Sequence, residues 1–93
     1  EYKVSSGAFL LLAVPGATQS SRLGVIVAKK AIRRAVRRNR IKRLVREQFR
    51  HQPFDKAIDL VVLARSGADQ MDNPSVWGEL DRLWRALGQK VNP

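Results

Sequence analysis

The side chains that could do chemistry in this chain are overwhelmingly cations, and they are concentrated in one stretch. From Lys29 to Arg50 (KKAIRRAVRRNRIKRLVREQFR), eleven residues are Lys or Arg and Glu47 is the sole acid. Charge of one sign at that density repels itself and is relieved by a polyanion. Arg outnumbers Lys in the stretch, and the planar guanidinium fork suits phosphate oxygens and stacks on bases. Engaging about six to eight phosphates would give a salt slope of roughly −4 to −7 in log K against log salt. The plainer alternative is a solvated helix face, but such faces mix both signs, and this one is nearly all positive over a wide arc. Asn39 stands out among the cations: its amide suits capping a helix start, or a hydrogen bond to a base, a sugar or metal-bound water.

Other chemistries lack their residues. His51 is the single histidine and there is no cysteine, which removes disulfides, thiol chemistry and Cys-based zinc sites. Asp55, Asp59, Asp69, Asp72, Glu79 and Asp81 lie outside the basic stretch without site-like spacing. Glu47 is expected to pair with a neighbouring cation such as Arg43 or Lys42. No Ser/His/Asp arrangement and no phosphate-cradling glycine loop is present, so no catalytic residue and no metal ligand is assigned. A net charge of +10 on a chain with 44% apolar residues describes a folded, very basic protein, for which nucleic acid is the first partner class and an anionic membrane the second. No apolar run approaches the ~20 residues of a membrane span. No signal peptide is visible, and lack of cysteine suits the cytoplasm. The chain starts at Glu1 rather than Met, so a trimmed or incomplete start is expected.

Ninety-three residues suit one domain, residues 1–93. Residues 1–6 carry no clear signal. Gly7–Val14 (GAFLLLAV), stopped by Pro15-Gly16, reads as a strand with Phe9, Leu11 and Ala13 on one face and Ala8, Leu10, Leu12 and Val14 on the other. Both faces are apolar, so one meets the core and the other is covered or is a contact surface. Ala17–Ser21 reads as a hairpin loop into a second strand, Arg22–Ala28, paired with the first. Ile58–Ala64 is nearly apolar throughout, as expected of a buried central strand. Asn73-Pro74 gives a cap and a first helical residue, Trp77, Leu80, Leu83, Trp84 and Leu87 form the core stripe that follows, and Gly88 is the stop.

In the basic stretch, steps of about 100° from Ile41 put Leu44, Val45 and Phe49 on one core-facing stripe. Asn39, Lys42 and Arg46 fall on one flank, and Arg40, Arg43 and Arg50 on the next. Carried backwards, the stripe meets Arg34, Arg37 and Arg38, and burying three guanidinium groups is too costly. The helix is therefore expected to begin near Ala35–Arg38 with its first turn beyond the core, after a basic loop at Lys29–Arg34. Pro53 stops it. Strand, helix and strand can then form a βαβ crossover.

The run Ala35-Val36-Arg37-Arg38-Asn39-Arg40-Ile41-Lys42-Arg43-Leu44-Val45-Arg46-Glu47, after a strand ending in Lys29-Lys30, resembles the protein subunit of bacterial ribonuclease P. The likeness continues through IDLVVLA and the Trp-containing last helix, covering most of the chain in order. It implies an α+β fold of ribosomal-protein type, a small mixed sheet with helices in the order α-β-β-β-α-β-α and a left-handed βαβ crossover, an exception to the usual hand. It implies a protein cofactor for a catalytic RNA that, with Mg²⁺, removes the 5′ leader of precursor tRNA. On that resemblance, Lys29, Lys30, Arg33, Arg34, Arg37, Arg38, Arg40, Arg43 and Arg50 face the ribonuclease P RNA. Asn39, Lys42 and Arg46 face the leader, with Leu10 and Leu12 as the cleft floor. Mg²⁺ is bound mainly by the RNA. Two departures from the family are expected: little precedes Gly7, so the initial helix, whose aromatics wall the cleft, is expected to be missing or cut away here, and Leu12 stands where an aromatic is frequent.

The competing readings are a non-catalytic structural RNA-binding protein of ribosomal type, a major-groove DNA reader using Ile41–Arg50, and a membrane-surface helix. The DNA reading lacks polar variety on the helix face. The membrane reading would take apolar residues that the core needs.

Overall fold

The computed structural model describes residues 1–52, 54 and 56–91. Four strands and two helices follow one another as β1 (Tyr2–Ser5), β2 (Phe9–Pro15), β3 (Arg22–Val27), α1 (Ala35–Phe49), β4 (Ile58–Ala64) and α2 (Asn73–Val91), with a short 3₁₀ turn at Ser66–Ala68. The strands form one mixed sheet in the order β1-β2-β4-β3. β2 is antiparallel to both β1 and β4, while β3 runs parallel to β4. Strand, helix and parallel strand thus form the expected βαβ unit.

The expected hairpin between β2 and β3 is not formed. β4 lies between them, with Leu11 opposite Val62 on one side and Val25 opposite Val62 on the other. The linker after β2 crosses two strand spacings, about 10 Å, before β3 begins. It is fastened to the start of β4: Gly16 N–H donates to the Ala57 carbonyl at 2.9 Å, and Ile58 N–H donates to Ser21 Oγ at 3.1 Å. A Cβ on Gly16 would come within 3.0 Å of the Ala57 carbonyl carbon, so that close approach requires glycine.

The first residues, which carry no clear sequence signal, make the edge strand β1. Four residues suffice because Tyr2 and Val4 lean on the core while Lys3 and Ser5 face out. Ser6 closes the turn into β2, its hydroxyl oxygen accepting from Ala8 and Phe9 N–H at 3.2 Å each.

Both helices contribute to one core, on one side of the sheet. Phe9, Leu11, Ala13, Ile58, Leu60 and Val62 are buried there beneath Ile41 and Val45 of α1 and Leu80, Trp84 and Leu87 of α2. α1 lies over β3, and α2 lies over β1 and β2. β4 is central as expected but buried on one face: Asp59, Val61 and Leu63 are half-exposed.

α2 begins one residue earlier than the Asn73-Pro74 reading implies. Asp72 is the cap, its Oδ1 accepting from Ser75 N–H at 2.9 Å and its carbonyl from Val76 N–H at 3.0 Å. Asn73 is instead turned to α1. Gly88 does not stop the helix, because Val91, one turn beyond Leu87 on the same stripe, is buried and rewards its continuation. Trp84 is core, but Trp77 is 42% exposed and leaves the stripe, which starts at Val76. α1 starts at Ala35, as expected. Pro53, read as its stop, lies outside the described residues, and the helix has already ended at Phe49.

Candidate nucleic-acid interface

The first two turns of α1 show how guanidinium groups can occupy a core stripe. Arg37 Nη1 donates to the Asp69 carbonyl at 3.3 Å and to Asp69 Oδ1 at 3.2 Å. Arg38 Nη1 donates to the Ile32 and Arg33 carbonyls at 3.0 and 2.7 Å. Both side chains are half-buried and hydrogen-bonded, so neither is the unpaired buried charge that would be prohibitive. Their partners are distant carbonyls and a carboxylate that helical periodicity does not reveal.

Arg38 therefore organises the basic loop as well as adding charge to it. Lys29, Lys30, Arg33 and Arg34 are exposed, while Ile32 between them is completely buried. Ala31 and Ile32 N–H both donate to the Ala28 carbonyl at 3.0 Å, which curls the loop over this apolar anchor. Ile32 was not singled out in the sequence; an isolated apolar residue between cation pairs is its signal.

Farther along α1, Arg40 Nη1 donates to Asn73 Oδ1 at 2.7 Å. Asn39, Arg43, Arg46 and Arg50 are exposed and Lys42 is half-buried. Among the described residues, the side chains of Lys42, Arg43, Arg46 and Arg50 have no hydrogen-bond or ion-pair partner, and neither do those of Lys29, Lys30, Arg33 and Arg34. Glu47 makes no ion pair with them, contrary to expectation; it shares an open hollow of ≈ 350 Å³ with Arg43, Arg46 and Arg50. Asn39 lines a groove with Val36, Arg40 and Arg43, so it stands at the boundary between the two flanks of the helix. His51 is exposed in the turn after α1.

The helix is held rigidly from behind. Gln48, 4% exposed, donates through Nε2 to the Trp77 carbonyl at 2.9 Å and accepts from Trp84 Nε1–H at 3.0 Å. Phe49 packs against Phe54 and Trp84 with ring centroids 6.2 and 6.1 Å apart. These contacts fix the azimuth of α1, and with it the direction of every free cation.

The second surface is the sheet face that the helices leave open. Register aligns Leu10 of β2 with Leu63 of β4 and Ile26 of β3, and Leu12 with Val61 and Gly24. Leu10 and Leu12 are half-exposed there, as their alternation with Phe9 and Leu11 predicts. Val61, Leu63 and Ile26 extend the patch toward β3, the strand beneath α1. Sequence reasoning missed these three because an all-apolar strand reads as buried on both faces. At one end, Arg22 grips Asp59 through Nε at 3.0 Å and Nη2 at 2.7 Å, beside a hollow of ≈ 370 Å³ lined by Leu12, Val14 and Val61. The Arg22 hydrogen bonds hold the Asp59 carboxyl below its ordinary range.

The structure thus carries a cationic helix and loop and, separately, an apolar sheet face that the helices leave open; comparison with known proteins decides the family. The family model described as Ribonuclease P matches residues 1–88. The chain belongs to the ribonuclease P protein family. It is 47% identical over 90 residues to the ribonuclease P protein component of a Marinomonas species, an alignment covering 96% of this chain and 68% of that protein. The solved ribonuclease P protein of Staphylococcus aureus superposes with a TM-score of 0.85 at 31% identity, covering 99% of this chain and 84% of that one. That of Thermotoga maritima gives 0.75 at 30% identity, covering 95% and 82%. The α+β class and the strand–helix order read from the sequence are those of ribonuclease P proteins, components of a tRNA-processing ribonucleoprotein. Among the described residues of this family member, no helix is long and apolar enough to cross a membrane.

Proposed function

We propose that this chain is the protein subunit of a ribonuclease P whose RNA performs the cleavage. α1 and the Lys29–Arg34 loop bind that RNA, and the open sheet face receives the 5′ leader of precursor tRNA. The observation that carries the reading is that one small domain presents two unlike surfaces: unpaired cations along α1, and an apolar sheet face that the helices leave open. Arg33, Arg34, Arg43 and Arg50 neutralise phosphates of the catalytic RNA, while Arg38 holds the loop in position to do so. Lys42 and Arg46 bind leader phosphates, and Leu10, Leu12 and Val61 pack against its sugars and bases. Asn39, at the boundary of the two arcs, can hydrogen-bond either strand.

Mg²⁺ supplies the activation of water and the stabilisation of the leaving oxygen when bound by the RNA. In the protein, Asp59 is paired with Arg22, Asp69 with Arg37, and Asp72 caps α2. No three described His, Asp or Glu side chains converge. The chain's part is to concentrate positive charge near RNA phosphates and to hold the leader extended. The setting is the cytoplasm, where precursor tRNA is made.

The deciding experiment combines the protein with a bacterial ribonuclease P RNA and a precursor tRNA at low Mg²⁺, beside RNA alone. Restored cleavage at the mature 5′ end is expected. Tight RNA binding without stimulation would leave the helix surface standing and remove the leader role. Binding no better than to unrelated RNA would leave only a general RNA-binding protein of ribosomal type.

A further inference from the structure

Between the first turns of α1 and the segment that leads into α2 lies a groove of ≈ 580 Å³, within the roughly 300–1,000 Å³ range of small-ligand pockets. Its lining is chemically divided. Arg40 and Arg43 stand on the α1 side, Asp69 and Asp72 on the opposite side, and Val36 and Met71 supply apolar surface. Val36 is 74% exposed, the most exposed of the large apolar side chains. A lone exposed apolar residue is ordinary, but this one lines a concavity in the middle of the cationic surface. Met71 packs on the core from beneath. Arg37 and Arg40, tied to Asp69 and Asn73, brace the two sides at a fixed separation.

We propose that this groove receives a single unpaired, amino-bearing nucleotide of the RNA partner, its base on Val36 and Met71 and its phosphate at Arg43. The proposal rests on the RNA-binding reading above and adds a defined subsite to it. A regular duplex backbone would meet the convex side of the helix and have no use for a hollow. A bare phosphate would be repelled by Asp69 and Asp72. A nucleotide uses all three kinds of surface: its phosphate needs the cation, the flat base needs the apolar contact, and an exocyclic amino group needs an acceptor. Asp72 has such an acceptor to offer, since a carboxylate accepts at about four sites and the Ser75 hydrogen bonds do not fill them. Guanine, adenine and cytosine carry the amino group; uracil does not.

Met71 is the only methionine in the chain, so its methyl resonance is a single reporter on the groove floor. The test titrates the full chain, methyl-labelled at Met71, with guanosine, adenosine, cytidine and uridine 5′-monophosphates and with inorganic phosphate. Saturable shifts with guanosine, adenosine and cytidine monophosphates, weaker with uridine and absent with phosphate, are expected. Equal shifts with phosphate would overturn the proposal in favour of a plain anion site, and equal shifts with uridine would overturn the amino-group contact. In parallel, Val36→Ser should weaken binding to a bacterial ribonuclease P RNA roughly 3- to 10-fold, the size of a lost base contact, without altering the salt slope, because no charge is removed. Unchanged affinity in a variant that still supports cleavage would sink the groove proposal alone. If the wild-type chain neither binds that RNA selectively nor stimulates cleavage, the RNA-binding reading itself fails.

Discussion

The two faces of the sheet are built from nearly the same residues and have opposite fates. Along β2, Phe9, Leu11 and Ala13 are sealed under the helices, while Leu10, Leu12 and Val14, equally apolar, stay half-exposed or exposed. β4 repeats the contrast, with Leu60 and Val62 inside and Val61 and Leu63 outside. Apolarity alone therefore does not separate core from contact surface here. The difference comes from where α1 and α2 find their own apolar stripes a partner. One face is required for folding, and the other is available to a ligand.

Substitution on the covered face should cost most. Phe9→Ala removes a fully buried ring and is expected to destabilise by about 3–5 kcal/mol, read as a large fall in the denaturation midpoint, with RNA binding lost only as the fold is lost. An unchanged midpoint would mean that the covered face is not the core.

Next comes the clamp that holds α1 against α2. Gln48→Leu leaves the buried Trp84 N–H without its acceptor, a loss of ~1–3 kcal/mol, or roughly 4–8 °C in Tm per kcal/mol for a domain of this size. Calorimetry measures it, and a Tm equal to wild type would show that α1 is held by its apolar stripe alone.

On the open face the ranking of effects should invert. Leu12→Ser is expected to cost about 1 kcal/mol of stability or less, since the side chain is only half-buried. It should lower the preference for precursor over mature tRNA several-fold. Equal binding of the two RNAs by wild type and variant would separate the open face from the leader.

The smallest effect is electrostatic. Arg22 hydrogen bonds lower the Asp59 carboxyl, and Ser75 hydrogen bonds lower that of Asp72. Carboxyls lowered in the folded state stabilise it above the ordinary carboxylate pKa of ~4, and that stabilisation is lost as pH falls through the folded values. Urea midpoints from pH 7 to 3 should therefore drop on the acid side, and Asp59→Asn should flatten part of that drop. The exposure of the pair keeps the effect small. An identical acid limb in the variant would assign the loss to other groups.

Much of the candidate site is legible in the sequence. Ile41, Leu44, Val45 and Phe49 repeat with helical spacing, so the flanking cations had to point outward, and the Arg-Asn-Arg run carried the family likeness. Strand alternation predicted that Leu10 and Leu12 share a face. The groove was not legible, because Val36 and Met71 are distant in sequence and each is unremarkable by itself. Nor was the structural use of Arg37 and Arg38, whose partners are a loop carboxylate and main-chain carbonyls.

What the sequence determined by itself is local: charge, periodicity and the order of the elements from β2 to α2, all consequences of backbone geometry acting on residue type. The tertiary structure alone decided the rest. It inserted β4 between β2 and β3, because a parallel partner for β3 and an antiparallel one for β2 could be met by one strand. It took Asn73 from capping α2 to bracing Arg40, because Asp72 already satisfied the first turn. It also chose which of two apolar faces would remain open, because two helices on one side of a four-stranded sheet bury that side and leave the other to solvent or to a partner.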